Sequence, residues 1–262
     1  MIKIDQLTLK IGQRPLLKQL SFELKEGDLT VLIGANGVGK STLLKTLAGT
    51  RLPNISVEGK LQFQQKDLAA YNALELSKQR AVMSQKIQLY FPITVLELVM
   101  LGRSAQSCSN AVNLTIAKKA LSYVDMLDFQ HRNMQSLSGG EQQRAHLARA
   151  LAQIWPEAEN TSKLLILDEP TAGLDVHYQH FILEKVKQCC IENGLTVLAV
   201  LHDINIAAQY ADEMIVLKKG GLLKKGKPQD ILTPETIQEA FGISAVIQQH
   251  PLRNCPQVLT YY

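Results

Sequence analysis

No stretch of this sequence is apolar for long enough to cross a bilayer as a helix, which takes about 18 consecutive apolar residues. The most apolar runs, residues 29–33, 164–167 and 197–201, have only strand length. The opening MIKIDQLTLK lacks the apolar core of a secretory leader, which predicts no signal peptide and a chain that stays in the cytosol. Cysteine is scarce: Cys108, Cys189, Cys190 and Cys255 match neither a metal-ligand spacing nor a disulfide framework. They are expected as small buried or half-buried thiols. Low-complexity segments, internal repeats and sustained heptads are all missing, which excludes solenoid and coiled-coil architectures. The net charge of +4 is too small to imply nucleic acid by itself. The basic run Lys218, Lys219, Lys224, Lys225 and Lys227 is expected as a solvated hairpin.

What is present is an ordinary globular composition, 46% apolar and 20% charged, over 262 residues. The beginning of the chain reads as strands. Ile2, Ile4, Leu7 and Leu9 alternate imperfectly, whereas Leu20, Phe22 and Leu24 alternate cleanly. Residues 29–33 form a continuous apolar run, as in a strand buried on both faces. A glycine-rich loop and a helix over about 40–48 follow, the helix stopped by Gly49. From about 86 to 152 the pattern turns helical, with a capping box at Thr94 and Glu97 and a periodic run at 116–124. Strand character returns at 164–167 and 195–201, on either side of a helix over about 177–193 that ends at Gly194. Thr233-Pro234 opens a further short helix. The order predicts an α/β fold: a P-loop NTPase core with a mostly parallel sheet, an N-terminal antiparallel β subdomain and an inserted α-helical subdomain at about 86–152, all within one domain spanning 1–262.

Three segments carry chemistry. Gly34, Ala35, Asn36, Gly37, Val38, Gly39, Lys40, Ser41 and Thr42 fit G-x-x-x-x-G-K-[ST] between a strand and a helix. Glycines there let successive backbone N–H groups cradle phosphate oxygens, and the helix N-terminus adds its positive dipole end. Lys40 suits the β- and γ-phosphates, and the Ser41 hydroxyl suits Mg²⁺. An apolar strand then ends in Asp168 and Glu169, two carboxylates fit to reach a metal shell and to polarise an attacking water. The third segment is Leu137-Ser138-Gly139-Gly140-Glu141. Ser138 and Glu141 form a capping box, but capping does not call for Gly139 and Gly140, which are poor helix formers. A bare glycyl turn lets a helix N-terminus come close to a phosphate.

In these segments the sequence resembles the ATP-binding subunits of ABC transporters over nearly its whole length. Residues 34–42 are similar to Walker A, 164–169 to Walker B and 137–141 to the family signature. Gln85 falls where the Q-loop glutamine belongs, Asp175 where the D-loop aspartate does, and His202 resembles the switch histidine. The resemblance implies an ATPase that uses ATP and Mg²⁺, with Glu169, His202 and Gln85 catalytic and Ser41, Gln85 and Asp168 around the metal. It implies a head-to-tail homodimer, in which Ser138, Gly139 and Gly140 of one copy meet the ATP held by residues 34–42 of the other, and Asp175 bridges the copies. It also implies an integral-membrane permease dimer and, through it, a periplasmic substrate-binding protein. The subunit would sit peripherally on the cytoplasmic face of the inner membrane, with no nucleic-acid partner.

The permease is expected to meet Leu89, Tyr90 and Phe91. Residues 91–103 and 201–208 resemble the iron-chelate and cobalamin importers, so ferric-siderophore and cobalamin uptake remain alternatives. A Trp-containing insertion at about 154–163 and a tail with His250-Pro251 and Pro256 resemble the haemin-importing branch. His250 itself is expected to be structural or solvated. A soluble ABC ATPase acting on nucleic acid or ribosomes is a further alternative, disfavoured by the single set of motifs. One departure concerns the base: Ile11 stands where the family commonly stacks adenine on an aromatic ring, so it offers apolar contact without a π-face.

Overall fold

In a computed structural model of the protein, the structure describes residues 1–84, 91–155 and 162–261. They divide into two compact units, one made of Met1–Tyr71 and Thr196–Tyr262, the other of Asn72–Leu195.

The first unit begins with β1 (Ile2–Ile11), β2 (Arg14–Leu24), β3 (Leu29–Gly34), α1 (Lys40–Leu47), β4 (Ile55–Phe63) and β5 (Lys66–Asp67). The chain passes into the second unit through α2 (Ala73–Gln79), β6 (Arg80–Met83), α3 (Val95–Leu101), α4 (Asn110–Tyr123), α5 (Gly139–Gln153), β7 (Leu164–Asp168) and α6 (Val176–Asn193). It returns with β8 (Thr196–Val200), α7 (Ile204–Tyr210), β9 (Glu213–Lys218), β10 (Gly221–Gly226), α8 (Pro228–Ile231), α9 (Pro234–Phe241), β11 (Ser244–Gln249) and β12 (Pro256–Tyr261).

In the first unit β1 lies antiparallel between β2 and β4, the expected N-terminal antiparallel sheet. The imperfect alternation of β1 has a local cause. Gln6 takes a left-handed φ of 51° and the register shifts between Ile4 and Leu7, a β-bulge that returns Leu7 and Leu9 to the buried face. Gln19 of β2 does the same at φ 49°. The two displaced backbone N–H groups find hydroxyls: Gln6 donates to Ser21 Oγ (2.9 Å) and Gln19 to Thr8 Oγ1 (3.1 Å). Strand β3 runs parallel to both β8 and β9, and all of its residues are buried. Strands β9 and β10 form the basic hairpin. It is less purely solvated than expected, since Lys218 pairs with Glu239 (2.6 Å) and Lys225 with Glu213 (2.5 Å).

In the second unit β6 and β7 pair in parallel, and α3, α4 and α5 pack on one another. The unit also holds α2 and α6. Gly102 lets the end of α3 press on α5, where an added Cβ would meet Arg149 O at 2.4 Å. Arg103 is 2% exposed and ties the helices together, donating from Nε to Asn113 Oδ1 (3.0 Å) and from Nη1 to Ala152 O (2.9 Å). Among the described residues no helix is long and apolar enough to cross a membrane. None of the four cysteines is in a disulfide; three are buried and Cys108 is half-buried.

Candidate active site

In the first unit the site is built on the C-terminal end of β3. Gly34 closes the strand at φ 152°, against β9: a Cβ there would lie 2.5 Å from Leu217 O, so only glycine lets the chain turn at this point. Residues 35–39 form the loop, and Gly39 at φ 104° is the N-cap of α1. Its N-cap residue Gly39 has no side chain to cap α1, whereas N-cap side chains cap each of α2 to α7 and α9. A helix N-terminus left to backbone amides alone is suited to an anion. Lys40 is buried, and its Nζ donates to Gly34 O (2.7 Å) and Ala35 O (3.0 Å). Its charge is thereby held against the loop. Ser41 and Thr42 complete the first turn of α1.

Two further expected residues belong to this unit. The register pairs Leu32 of β3 with Val200 of β8, so Gly34 and His202 each lie two residues past a matched pair on neighbouring parallel strands. The structure thus brings His202, an exposed residue, to the strand end beside the loop. The next residue, Asp203, caps α7 by accepting from Ile206 N (2.9 Å). Ile11 ends β1 and is 51% exposed, unusual for an isoleucine and compatible with apolar contact to a flat ring.

In the second unit Asp168 is the last residue of β7 and is 6% exposed. Glu169 follows at φ 54°, a left-handed conformation that costs a non-glycine residue about 1–3 kcal/mol and recurs at functional sites. Ser138 caps α5, and its capping box with Glu141 is complete: Ser138 N donates to Glu141 Oε2 (2.7 Å), and Glu141 N to Ser138 Oγ (3.3 Å). The Ser138 backbone N–H holds the Glu141 carboxyl below its ordinary range against the opposing effect of burial, aided by the Ser138 hydroxyl, Arg132 and Arg144. The two signature glycines differ. A Cβ on Gly139 would meet nothing within 4 Å, so no contact among the described residues demands glycine there. A Cβ on Gly140 would lie 3.3 Å from Cδ2 of Tyr178. Asp175 caps α6, accepting from Tyr178 N at 3.0 Å, so the signature turn and the start of α6 are neighbours through Tyr178.

Gln85 lies outside the described residues, as do Leu89, Tyr90 and the greater part of the 154–163 insertion. Phe91 is described and is 56% exposed. Tyr178 and Arg144 escaped the sequence reading. The signal for Tyr178 was its place three residues past the helix-capping Asp175, one turn along the same face.

The donors offered to a metal are hard oxygens, the Ser41 hydroxyl and the buried Asp168 carboxylate. No group of three or more His, Cys, Asp or Glu side chains fit to hold a metal occurs among the described residues. Each is an oxygen donor of the kind that Mg²⁺ takes, an ion that draws its remaining ligands from phosphate and water. The chemistry of each donor therefore fits that ion.

A parallel strand, a glycine loop held by a buried lysine, and an uncapped helix define a P-loop nucleotide-binding protein of the α/β class. Residues 17–172 match the family model for the ABC transporter domain. The "Hemin import ATP-binding protein HmuV" of Gloeobacter violaceus is 40% identical over 99% of this chain and 94% of that protein. A metal-chelate type ABC transporter solved in an inward-facing conformation covers all of this chain and 97% of its own at 26% identity and a TM-score of 0.82. The ATP-binding cassette MJ0796, solved as a dimer in a post-hydrolysis state with ADP and Pi, shows 28% identity over 87% of this chain and 98% of its own, with a TM-score of 0.72. The chain belongs to the ABC transporter ATP-binding family, and its activity is that of an ATPase.

Proposed function

We propose that this subunit drives haem import, hydrolysing ATP as a head-to-tail homodimer beneath a permease dimer on the cytoplasmic face of the inner membrane. The observation that carries the haem reading is the nearly end-to-end likeness to a protein named for hemin import. The dimer reading is supported by MJ0796, solved as a dimer, and by Gly139, whose missing side chain answers to no neighbour among the described residues.

In this reading the loop amides of residues 34–39 and the Lys40 ammonium hold the ATP phosphates, Thr42 closes the first helical turn around them, and Ile11 covers the base. Ser41 and Asp168 hold Mg²⁺, which supplies positive charge against the phosphate oxygens. Glu169 polarises the water that attacks the γ-phosphorus, and His202 fixes that water and the γ-phosphate. Gln85 reports their presence to the helical subdomain at 86–152. Ser138, Gly139 and Gly140 of the second copy complete the phosphate shell, and Asp175 bridges the copies. Cleavage of the terminal phosphate removes the link, so nucleotide state sets the balance between closed and open dimer. Exposed Phe91 belongs to the face offered to the permease, through which a periplasmic binding protein delivers cargo.

Growth with haemin as the sole iron source tests the cargo. Loss of growth on deleting the subunit, with rescue by the wild type and not by Glu169→Gln, supports haem. The structural likeness to a metal-chelate type transporter favours a second reading, ferric-siderophore or cobalamin uptake. Persistent growth on haemin with failed siderophore or cobalamin uptake selects it.

A further inference from the structure

The signature turn rests on a ring that none of the sequence motifs includes. Gly140 backs onto Tyr178 so closely that a single methyl would stand 3.3 Å from the ring. The other side of the support is a buried cation. Arg144, one helical turn after Gly140 and 7% exposed, places its guanidinium 4.9 Å from the centroid of Tyr178 and 5.7 Å from that of Phe181. The guanidinium is anchored from below, Nη1 donating to Val124 O (3.3 Å) and Asp125 O (3.1 Å) just past the end of α4. Among the described residues the Arg144 Nε finds no hydrogen-bond acceptor, so the aromatic faces supply much of what this cation has in exchange for water. Tyr178 in turn is fixed at its backbone by the Asp175 carboxylate (3.0 Å).

We propose that Tyr178, clamped by Arg144, is a positioning residue: it sets the pitch of the 138–140 turn and locks it to the helix start that carries Asp175. The two segments offered to the second copy then move as one piece. The chemistry behind this is geometric. A glycyl turn has no side chain of its own to fix it, and a helix N-terminus donates well to a phosphate oxygen only over a narrow range of angle and distance. The flat ring behind Gly140 supplies that constraint, and an aliphatic side chain of similar bulk does not. The inference rests on the head-to-tail reading above.

The test uses full-length protein carrying Glu169→Gln to block turnover, and it reads the ATP concentration that gives half-maximal dimer in sedimentation. In that background Tyr178→Ala and Tyr178→Leu raise this concentration about tenfold or more. Tyr178→Phe, which keeps the ring, restores it to within about twofold. ATP binding to the monomer, measured at protein concentrations too low for dimer, stays within about twofold in all of them, because Tyr178 is not among the residues assigned to the nucleotide. Hydrolysis without the Glu169 change gives the same ranking in kcat/KM, the apparent KM for ATP rising with the concentration needed for dimer. Tyr178→Leu carries the test if the alanine variant fails to fold. Dimerisation and kcat/KM at parental values in Tyr178→Leu overturn the inference, as does a loss in Tyr178→Phe equal to that in Tyr178→Leu. Gly139→Asp separates this failure from that of the dimer reading. If Gly139→Asp blocks dimerisation and Tyr178→Leu does not, only the positioning role falls; if neither does, the head-to-tail reading falls with it.

Discussion

Lys40 and Glu169 show how single residues are prepared for charge. The Lys40 ammonium is buried with two backbone carbonyls as acceptors, so its desolvation is partly met before any phosphate arrives. Lys40→Ala removes a charge-assisted interaction of about 1.5–3 kcal/mol, and nucleotide affinity in a titration should fall by about 10- to 100-fold. Glu169 carries its cost in the backbone, at φ 54°. Glu169→Gly takes that conformation without strain, so its thermal unfolding temperature should be no lower than that of the wild type, while hydrolysis is lost. A marked drop in that temperature would show that the native side chain, and not strain, dominates at this position. Glu169→Gln keeps backbone and bulk and removes only the charge, so hydrolysis should disappear with ATP affinity retained; full turnover would refute the role of the carboxylate.

At the scale of elements, the helix that opens with the signature also carries a buried histidine. His146 of α5 is pushed down to about 4, by burial first and by the Arg149 charge second. Its neutral form is the one that fits the fold. The unfolded chain protonates near 6.5, so the folded state is fully favoured above that pH and loses stability as pH falls toward 4. At roughly 1.4 kcal/mol per pH unit the loss reaches about 3 kcal/mol by pH 4. Denaturant melts across this range should show that slope, and His146→Leu should flatten it. An unchanged slope in the variant would place the acid sensitivity elsewhere. Elements with local signals were legible in the sequence. The capping boxes at Thr94 and Ser138, the αL stop at Gly194 and the proline start of α9 all stand where their residues put them. The β3 strand was legible because every position in it is apolar or small. The hairpin of β11 and β12 was not, because glutamines interrupt its alternation and its partners are α9 and α7 rather than a regular sheet. Short β6 begins with Arg80 and takes its pairing from β7, far along the chain. The Tyr178 support was hidden for the same reason, since it exists only once α5 and α6 lie together.

For the whole molecule, the central claim is that one ATP is held by two copies, by the lysine loop of one and the glycyl turn of the other. A closed two-fold arrangement makes each surface serve twice. Nucleotide should therefore convert Glu169→Gln subunits to dimers, and adding Lys40→Ala or Gly139→Asp should return them to monomers in sedimentation. The most direct measurement replaces the γ-phosphate with orthovanadate, which under ultraviolet light cleaves the backbone it touches, and then maps the cut sites. The account predicts cleavage at two places, beside Ser41 and beside Ser138. Cleavage at the Ser41 loop alone, with the signature turn intact, would contradict it.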